Sequence, residues 1–344
     1  MRRVTEFVPN SREWLDQLQE EIISPEREIV DTHHHLWRGS REGRWSDYLL
    51  ESLWTDTDSG HNIIKTVFVE CRSSYWTEGP EYMSPVGETE FVSKIAEESQ
   101  KSLGGHAAIC AIVSYADITL ENLLDEILDA HEDAGRGLFR GIRHSGAFDE
   151  NSNSFIDPIR IVEKNLFSRK DFIQGVKKLG FRGLTYESWL FHHQIKSFID
   201  LARATPDTIL IMDHLGGPLG VGPYEGRREE IFKEWKKDIA NLAKCENVFI
   251  KLGGMAMPNN GFAWHKRSAP PSSDEFVYKQ GKYYLHAIEC FGPNRCMFES
   301  NFPVEGVSIS YHVLWNAFKK IVNDFSENEK EMMFRNTATQ VYKL

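Results

Sequence analysis

Residues 29–37 carry the sequence IVDTHHHLW, in which an apolar pair runs into three histidines. Side chains of a β-strand alternate between its two faces, so the first and third histidines, His33 and His35, are expected to point the same way. Two imidazoles on one face can bind a metal ion or serve as acid and base near neutral pH. Because the run lies inside the chain and follows a strand pattern, it indicates a functional site at the end of a strand.

Seven further segments with strand character follow, and helical patterns lie between them. Most of the eight segments are nearly continuous apolar runs, which is typical of strands buried on both faces of a parallel sheet. The predicted strands are residues 28–33, 64–70, 107–113, 138–143, 181–186, 208–213, 247–252 and 295–300. Eight such units predict an α/β fold of the (β/α)₈ TIM-barrel class. The alternative is a doubly wound open sheet, which is disfavoured because no Gly-x-Gly-x-x-Gly turn follows the first strand.

The regions between the strands predict both helices and long loops. Residues 1–27 are expected to form an N-terminal helical extension, and residues 28–344 the barrel. Amphipathic periodicity predicts helices at residues 88–100, 120–134, 195–204, 228–243, 276–290, 311–322 and 326–334. Long loops are expected at residues 72–87, 145–170, 215–227 and 253–274. In a TIM barrel these loops open on the catalytic face, where long loops usually bind ligands.

Composition limits the classes of partner. The 344 residues are 41% hydrophobic, which is enough for a full-size core, and the net charge of -11 argues against nucleic acid as a partner. No apolar run is long enough to span a bilayer, and the N-terminal residues lack the apolar core of a secretion signal. The five cysteines are scattered without a Cys-x-x-Cys pair, as expected of a reduced cytoplasmic protein. A small molecule is therefore the expected partner.

Polar side chains follow most of the predicted strands at their carboxyl ends. Barrel enzymes build their active sites from such groups, which converge at one end of the barrel. Besides the two strand-1 histidines, the group comprises Glu70, Arg143, His144, Glu187, Asp213, His214, Lys251, Glu299, Ser300 and Asn301. The clustering predicts an active site more strongly than any single residue does.

These motifs together resemble the amidohydrolase superfamily, specifically its "amidohydrolase 2" branch of metal-dependent TIM-barrel enzymes. That branch includes lactonases and aromatic-acid decarboxylases. The resemblance rests on six segments, which are Asp31–Trp37, Arg140–Arg143, Trp189–Gln194, Ile211–Pro218, Asn247–Gly254 and Phe298–Val304. It extends from about residue 20 to the C-terminus, and it identifies the family more sharply than the substrate.

The resemblance implies a metal site and also shows one departure from the family pattern. His33, His35 and His214 are the implied ligands of a divalent metal, zinc or manganese, and catalysis without a metal stays an alternative. The branch ends strand 8 with an Asp that binds metal or activates water, and here that position is Asn301. Because an amide cannot act as a base, Glu299 or Glu70 is expected to supply the missing carboxylate.

Further candidates fill the catalytic and binding roles. Arg143 offers a bidentate guanidinium that suits a carbonyl or a carboxylate, and a salt bridge within the barrel wall is its structural alternative. His192 takes the position of the family's strand-5 histidine, although the adjacent His193 could exchange roles with it. The expected catalytic residues are Glu299, Asn301, Arg143, His192 and Glu70, and the expected substrate-binding residues are Trp37, Arg72, His144, Trp189, Lys251 and His265.

The leading functional hypothesis is hydrolysis of a small cyclic ester by water attack, assisted by a metal or by Arg and His. The alternatives are non-oxidative decarboxylation of an aromatic or unsaturated acid, and amide or imide hydrolysis. A barrel that binds its ligand without turning it over is the least favoured. A homodimer is expected by analogy with related barrels.

Overall fold

The computed structural model describes residues 11–39, 47–102, 105–151 and 162–344. Eight parallel strands follow one another in chain order around a barrel, and helices surround them, so the predicted TIM barrel is confirmed. The strands are β1 (Glu28–His34), β2 (Asn62–Val69), β3 (Ala108–Ser114), β4 (Phe139–Arg143), β5 (Thr185–Ser188), β6 (Leu210–Met212), β7 (Val248–Leu252) and β8 (Cys296–Phe298).

The helices lie between and after the strands. They are α1 (Arg12–Leu15), α2 (Leu50–Thr57), α3 (Val86–Lys101), α4 (Leu124–Gly135), α5 (Lys170–Phe181), α6 (Ile195–Ala204), α7 (Arg228–Leu242), α8 (Ser273–Phe291), α9 (Tyr311–Ile321), α10 (Glu327–Glu331) and α11 (Thr337–Tyr342). Among the described residues, no helix has the length and apolar character needed to cross a membrane.

The segment after β8 meets β1 and brings the first and last strands together. The backbone N–H of Asn301 donates to the carbonyl of His33 at 2.8 Å, and the N–H of His35 donates to the carbonyl of Phe302 at 2.8 Å. These bonds place the His33-x-His35 pair beside Asn301.

Both predicted boundaries of the fifth strand are wrong. The strand was expected at residues 181–186, but β5 begins at Thr185 and ends at Ser188, and Phe181 is the last residue of α5. The reason is the helical spacing of Phe172, Val176 and Leu179, which are all buried and which make residues 170–181 a helix that was not predicted. Gly183, with φ of 69°, makes the turn from this helix into β5.

The chain termini also differ from expectation. Within the described part of the expected N-terminal extension, the helix is limited to the four residues of α1. The helix predicted at residues 326–334 begins as expected, with Ser326 and Glu329 forming a capping box. It then changes to a π-helical segment at Met332–Asn336 and continues as α11, which packs Tyr342 against inward-facing strand residues such as Val30 and Ile211. The loops after β2, β6 and β7 are present, whereas residues 152–161 of the loop after β4 lie outside the described residues.

Candidate active site

Three histidines at the carboxyl end of β1 and just after β6 form the centre of the barrel mouth. The His33 ring lies 4.8 Å from the His35 ring and 4.8 Å from the His214 ring, measured between ring centroids. His34 lies on the other side of β1, where its Nε2 is 3.1 Å from the Thr66 hydroxyl. Burial lowers the pKa of His33 and that of His35 well below the usual value. Both imidazoles are therefore neutral and can offer a lone pair to a metal or a donor.

Glu299 lies behind two of these histidines. Its Oε1 accepts hydrogen bonds from Nδ1 of His214 at 2.6 Å and from the backbone N–H of His214 at 3.0 Å. Its Oε2 lies 2.7 Å from Nδ1 of His33, and Glu299 has no solvent exposure. A carboxylate in this position fixes the tautomer of His214 with the proton on Nδ1, which leaves Nε2 free.

Arg143 crosses the mouth from the end of β4. Its Nε donates to Oε1 of Glu70 at 3.1 Å, and its Nη2 donates to the backbone carbonyl of Glu70. Its Nη1 donates to Nε2 of His33 at 3.2 Å and lies 3.6 Å from Oδ2 of Asp213. The guanidinium is therefore held by Glu70 and directed at the same donors that a metal would use.

Lys251, at β7, lies inside the barrel between two carboxylates. Its ammonium donates to Oε2 of Glu187 at 2.6 Å and lies 3.6 Å from Oδ1 of Asp213. The hydroxyl of Tyr342 donates to the other oxygen of Glu187 at 2.6 Å. Burial alone would lower the pKa of Lys251, but the Glu187 and Asp213 carboxylates outweigh it and raise that pKa. Lys251 was expected to bind substrate, and it lies in this buried network with no solvent exposure.

The mouth contains a group of donors that fits a metal ion. His33, Asp213 and His214 each offer one ligand atom, the three atoms lie within 4.8 Å of one another, and all three residues are buried. Neither oxygen of Asp213 completes a hydrogen bond within the described residues. Imidazole nitrogen and carboxylate oxygen are ordinary zinc ligands. The predicted metal ligands were His33, His35 and His214. The observed donor set contains His33 and His214, with Asp213 in place of His35.

The charge around these donors also suits a divalent cation. Six ionisable groups besides the histidines surround them, and the acidic ones exceed the basic ones by two; the six are Glu70, Glu187, Asp213, Glu299, Arg143 and Lys251. A buried excess of negative charge is costly unless a cation compensates it. The donor set and its charge together fit a divalent metal.

Arg143 and a metal would compete for the same donors, which leads to a prediction. Replacing Arg143 by Gln removes a positive charge 3.2 Å from His33 and 3.6 Å from Asp213. Zinc affinity should therefore rise by about tenfold or more. Calorimetric zinc titration of the purified variant measures this, with the exposed-pair variant Arg227→Gln as the matched control. Weaker zinc binding by Arg143→Gln would show that the guanidinium supports the metal site instead.

His35 differs from the other two histidines in its partners. Its Nδ1 lies 2.8 Å from the carbonyl oxygen of Val69, and its Nε2 lies 3.3 Å from the side-chain amide of Asn301. The ring of Trp37 stacks behind it, with ring centroids 6.3 Å apart. Both ring nitrogens of His35 are thus engaged by the protein.

Other expected residues line the wall beside His214. The Trp189 ring lies 6.4 Å from the His214 ring. His192 packs against Tyr224, with centroids 5.2 Å apart, and its Nδ1 accepts a hydrogen bond from the N–H of Leu219. Burial lowers the pKa of His192 to about 3, so this ring is neutral. In the same wall, Asp149 accepts hydrogen bonds from His193 and Tyr224.

The remaining three expected binding residues lie on the loops. Arg72 lies three residues after the end of β2, is exposed, and has a left-handed backbone with φ of 65°. The His144 ring packs between Tyr115 and Phe172, and burial lowers its pKa to about 4. His265 lies in the 3₁₀ turn Trp264–Lys266 of the loop after β7.

Three neighbouring carboxylates had no predicted catalytic, metal-binding or substrate-binding role. Two of them, Glu187 in β5 and Asp213 directly after β6, already belonged to the predicted group at the strand ends. Glu305 is buried in the turn after β8 and is close to Asn301. No strand-end rule could have found Glu305, because a loop brings it back to the site.

Comparison with known proteins now places the chain in a family. The family model described as "Amidohydrolase" matches residues 30–344. The chain belongs to the amidohydrolase family. This amidohydrolase is 30% identical over 335 residues to the uncharacterized protein y4mH of Sinorhizobium fredii, covering 92% of this chain and 98% of that protein.

Two further relatives of this amidohydrolase come from Burkholderia multivorans. An L-fucono-1,5-lactonase is 24% identical over 326 residues, covering 92% of this chain and 96% of the lactonase. A crystal structure of an amidohydrolase with bound zinc superimposes with a TM-score of 0.71 at 20% identity, covering 92% of this chain and all of that one. The structural likeness supports the fold of this amidohydrolase.

Proposed function

We propose that this amidohydrolase hydrolyses a small cyclic ester, with His214 as the general base. The observation that carries the proposal is the double hydrogen bond from His214 to Glu299, through Nδ1 at 2.6 Å and the backbone N–H at 3.0 Å. It leaves Nε2 of His214 as the free basic atom, beside Asp213 and His33. A histidine oriented by a buried carboxylate is a recurrent device for activating a nucleophile.

The reaction assigns one role to each group. Nε2 of His214 takes a proton from water as the water oxygen bonds to the ester carbonyl carbon, and the Glu299 carboxylate stabilises the imidazolium that forms. The Arg143 guanidinium stabilises the negative charge that develops on the carbonyl oxygen. The ring C–O bond then breaks, and His214 returns the proton to the leaving alkoxide, which gives a hydroxy acid.

A divalent metal would polarise the carbonyl and lower the pKa of water. His33 and Asp213 would hold it while His214 serves as the base, because the lone pair on Nε2 of His214 cannot bind a metal and accept a proton at once. Glu299 or Glu70 was expected to be the base itself. The burial of Glu299 behind His33 and His214 favours a positioning role. Glu70 is engaged by Arg143 and is better suited to hold that guanidinium than to activate water.

The relatives support the choice of a cyclic ester. The L-fucono-1,5-lactonase of Burkholderia multivorans matches nearly the whole length of this chain. Ring opening needs a base that activates water and a cation that stabilises the oxyanion. His214 is the candidate for the first role and Arg143 for the second.

We also propose that the substrate carries an acidic group that Arg72 binds. Arg72 is exposed in the loop after β2 and forms no ion pair with any described residue. A left-handed backbone is uncommon for a residue with a Cβ, and strained residues of this kind recur at ligand-binding sites. A guanidinium in this setting suits a carboxylate.

Paired substrates test the role of Arg72. With carboxylated lactones, Arg72→Met should raise KM by about tenfold and leave kcat nearly unchanged, because a loop contact made equally in ground and transition states is lost. With neutral lactones the variant should match the wild type. Arg203→Met, on the exposed face of α6, is the control. Equal effects on charged and neutral lactones would remove the acidic group from the proposal.

A further inference from the structure

A single buried carboxyl group holds the backbone on both sides of Arg72. Glu88 lies in the first turn of α3, and only 2% of it is exposed. Its Oε1 accepts a hydrogen bond from the N–H of Cys71 at 3.1 Å and another from the N–H of Ser73 at 2.6 Å. The two residues that flank Arg72 are therefore bound to the same oxygen atom.

The backbone around Arg72 has the form of a turn that binds an acceptor. Arg72 and Ser74 both have left-handed backbones, with φ of 65° and 55°. In turns of this kind the backbone N–H groups converge on one acceptor, which is often an anion. A left-handed backbone is costly for a residue with a Cβ and persists only where its surroundings hold it. Glu88 provides that support from within the chain.

The rest of the turn packs against the same end of α3. A Cβ at Gly87 would lie 2.6 Å from the backbone nitrogen of Trp76 and 2.7 Å from the carbonyl oxygen of Ser74. Only glycine permits so close an approach of two backbone segments. The N–H of Trp76 also donates to the carbonyl of Ser84 at 2.9 Å. The start of α3 thus sets the position of the whole turn.

The side chain of Arg72 lies close to the barrel mouth. Burial raises the pKa of Tyr115 to about 12, and the charge of Arg72 opposes that increase. Burial lowers the pKa of His144 to about 4, and the charge of Arg72 adds to that decrease. Tyr115 follows β3 and His144 follows β4, so the guanidinium lies near the ends of neighbouring strands. The position of this turn therefore affects a group that can meet a substrate.

We propose that Glu88 is a positioning residue that presents Arg72 to the acidic group of the substrate. The inference rests on the proposed contact between Arg72 and that group. Glu88 acts through the N–H groups of Cys71 and Ser73 and does not touch the substrate. Burial raises the pKa of Glu88 to about 8, and the charge of Glu70 adds to the increase. Oε1 can accept hydrogen bonds in both protonation states, so the turn needs an acceptor at this point and not a negative charge.

Amide hydrogen exchange, followed by NMR, tests the role of Glu88 without a substrate. In the wild type and in Glu88→Gln, which keeps the acceptor, the amides of Cys71 and Ser73 should exchange slowly. In Glu88→Leu both should exchange about a hundredfold faster or more, because their acceptor is lost. Glu98→Leu, at an exposed position of the same helix, is the control and should leave both amides slow. Unchanged exchange in Glu88→Leu would overturn the proposal.

Kinetics with the paired lactones test the consequence for binding. Glu88→Leu should raise KM for carboxylated lactones about as much as Arg72→Met does, with kcat and the rates on neutral lactones nearly unchanged. Glu88→Gln should behave like the wild type, and combining Glu88→Leu with Arg72→Met should add little to either loss. If Arg72→Met raises this KM and Glu88→Leu leaves it at the wild-type value, the positioning role is wrong.

Gly87→Ala is a second variant that keeps Glu88 intact. Alanine suits the helix, but its Cβ displaces the turn, so KM for carboxylated lactones should rise as it does in Glu88→Leu. A wild-type KM in Gly87→Ala, with a raised one in Arg72→Met, would also count against the positioning role. If no lactone is opened, the proposed function fails, whereas amide exchange still decides whether Glu88 holds the turn.

Discussion

Replacing Glu299 by Gln is expected to lower kcat by about 10²- to 10⁴-fold and to leave the fold intact. The amide oxygen of Gln can still accept the Nδ1 and backbone hydrogens of His214, so the His214 ring keeps its place, while the amide nitrogen faces Nδ1 of His33. The lost negative charge no longer stabilises the imidazolium that forms when His214 takes a proton. Steady-state kinetics and circular dichroism of the same preparation measure both parts of the prediction.

The control for Glu299→Gln is Glu289→Gln, which changes an 81% exposed side chain on α8 and should have no effect on kcat. His214→Ala should lose a similar factor, and the double variant should lose little more than either single one, since the two residues act as one unit. Full additivity of the two losses would show that Glu299 and His214 act independently and would remove the assigned pairing.

Replacing Lys251 by Met is expected to destabilise the protein by about 3–5 kcal/mol, since it leaves buried carboxylates without their cation. Lys251 and both of its neighbours, Glu187 and Asp213, have no solvent exposure. Urea unfolding of the two proteins measures the difference in the free energy of unfolding.

Lys282→Met is the matched control, because Lys282 pairs with Glu229 on the surface and its loss should cost less than about 1 kcal/mol. Adding Glu187→Gln to Lys251→Met should restore part of the lost stability, because it removes one of the unpaired charges. A loss below about 1 kcal/mol for Lys251→Met would mean that Glu187 and Asp213 do not depend on this ammonium.

The barrel was predictable because buried parallel strands have a simple sequence pattern. Apolar runs such as 64–70 and 247–252 overlap the observed β2 and β7. The failure at β5 has a local cause, since the strand is only four residues long and follows a helix that ends in the exposed Phe181. Because Phe181 is apolar, the apolar run in the sequence begins before the true start of β5, and the predicted strand is therefore too long at that end.

The candidate site was partly predictable for a related reason. Strand ends converge in any barrel, so His33, Arg143, His214 and Glu299 could be grouped before their distances were known. The chemical role of each residue depends on the hydrogen-bond partners of its individual atoms. The place of Glu299 behind two histidines and the return of Glu305 through a turn are set by loop packing, which has no periodic signal in the sequence.

The most direct test of lactone hydrolysis is proton release when the purified protein is mixed with a panel of sugar lactones and carboxylated lactones. We expect catalysed ring opening of at least one lactone, with incorporation of one oxygen from labelled water into the new carboxylate and with a rate that falls in Glu299→Gln. Release of carbon dioxide from aromatic or unsaturated acids by the same preparation, with no lactone opened, would contradict lactone hydrolysis.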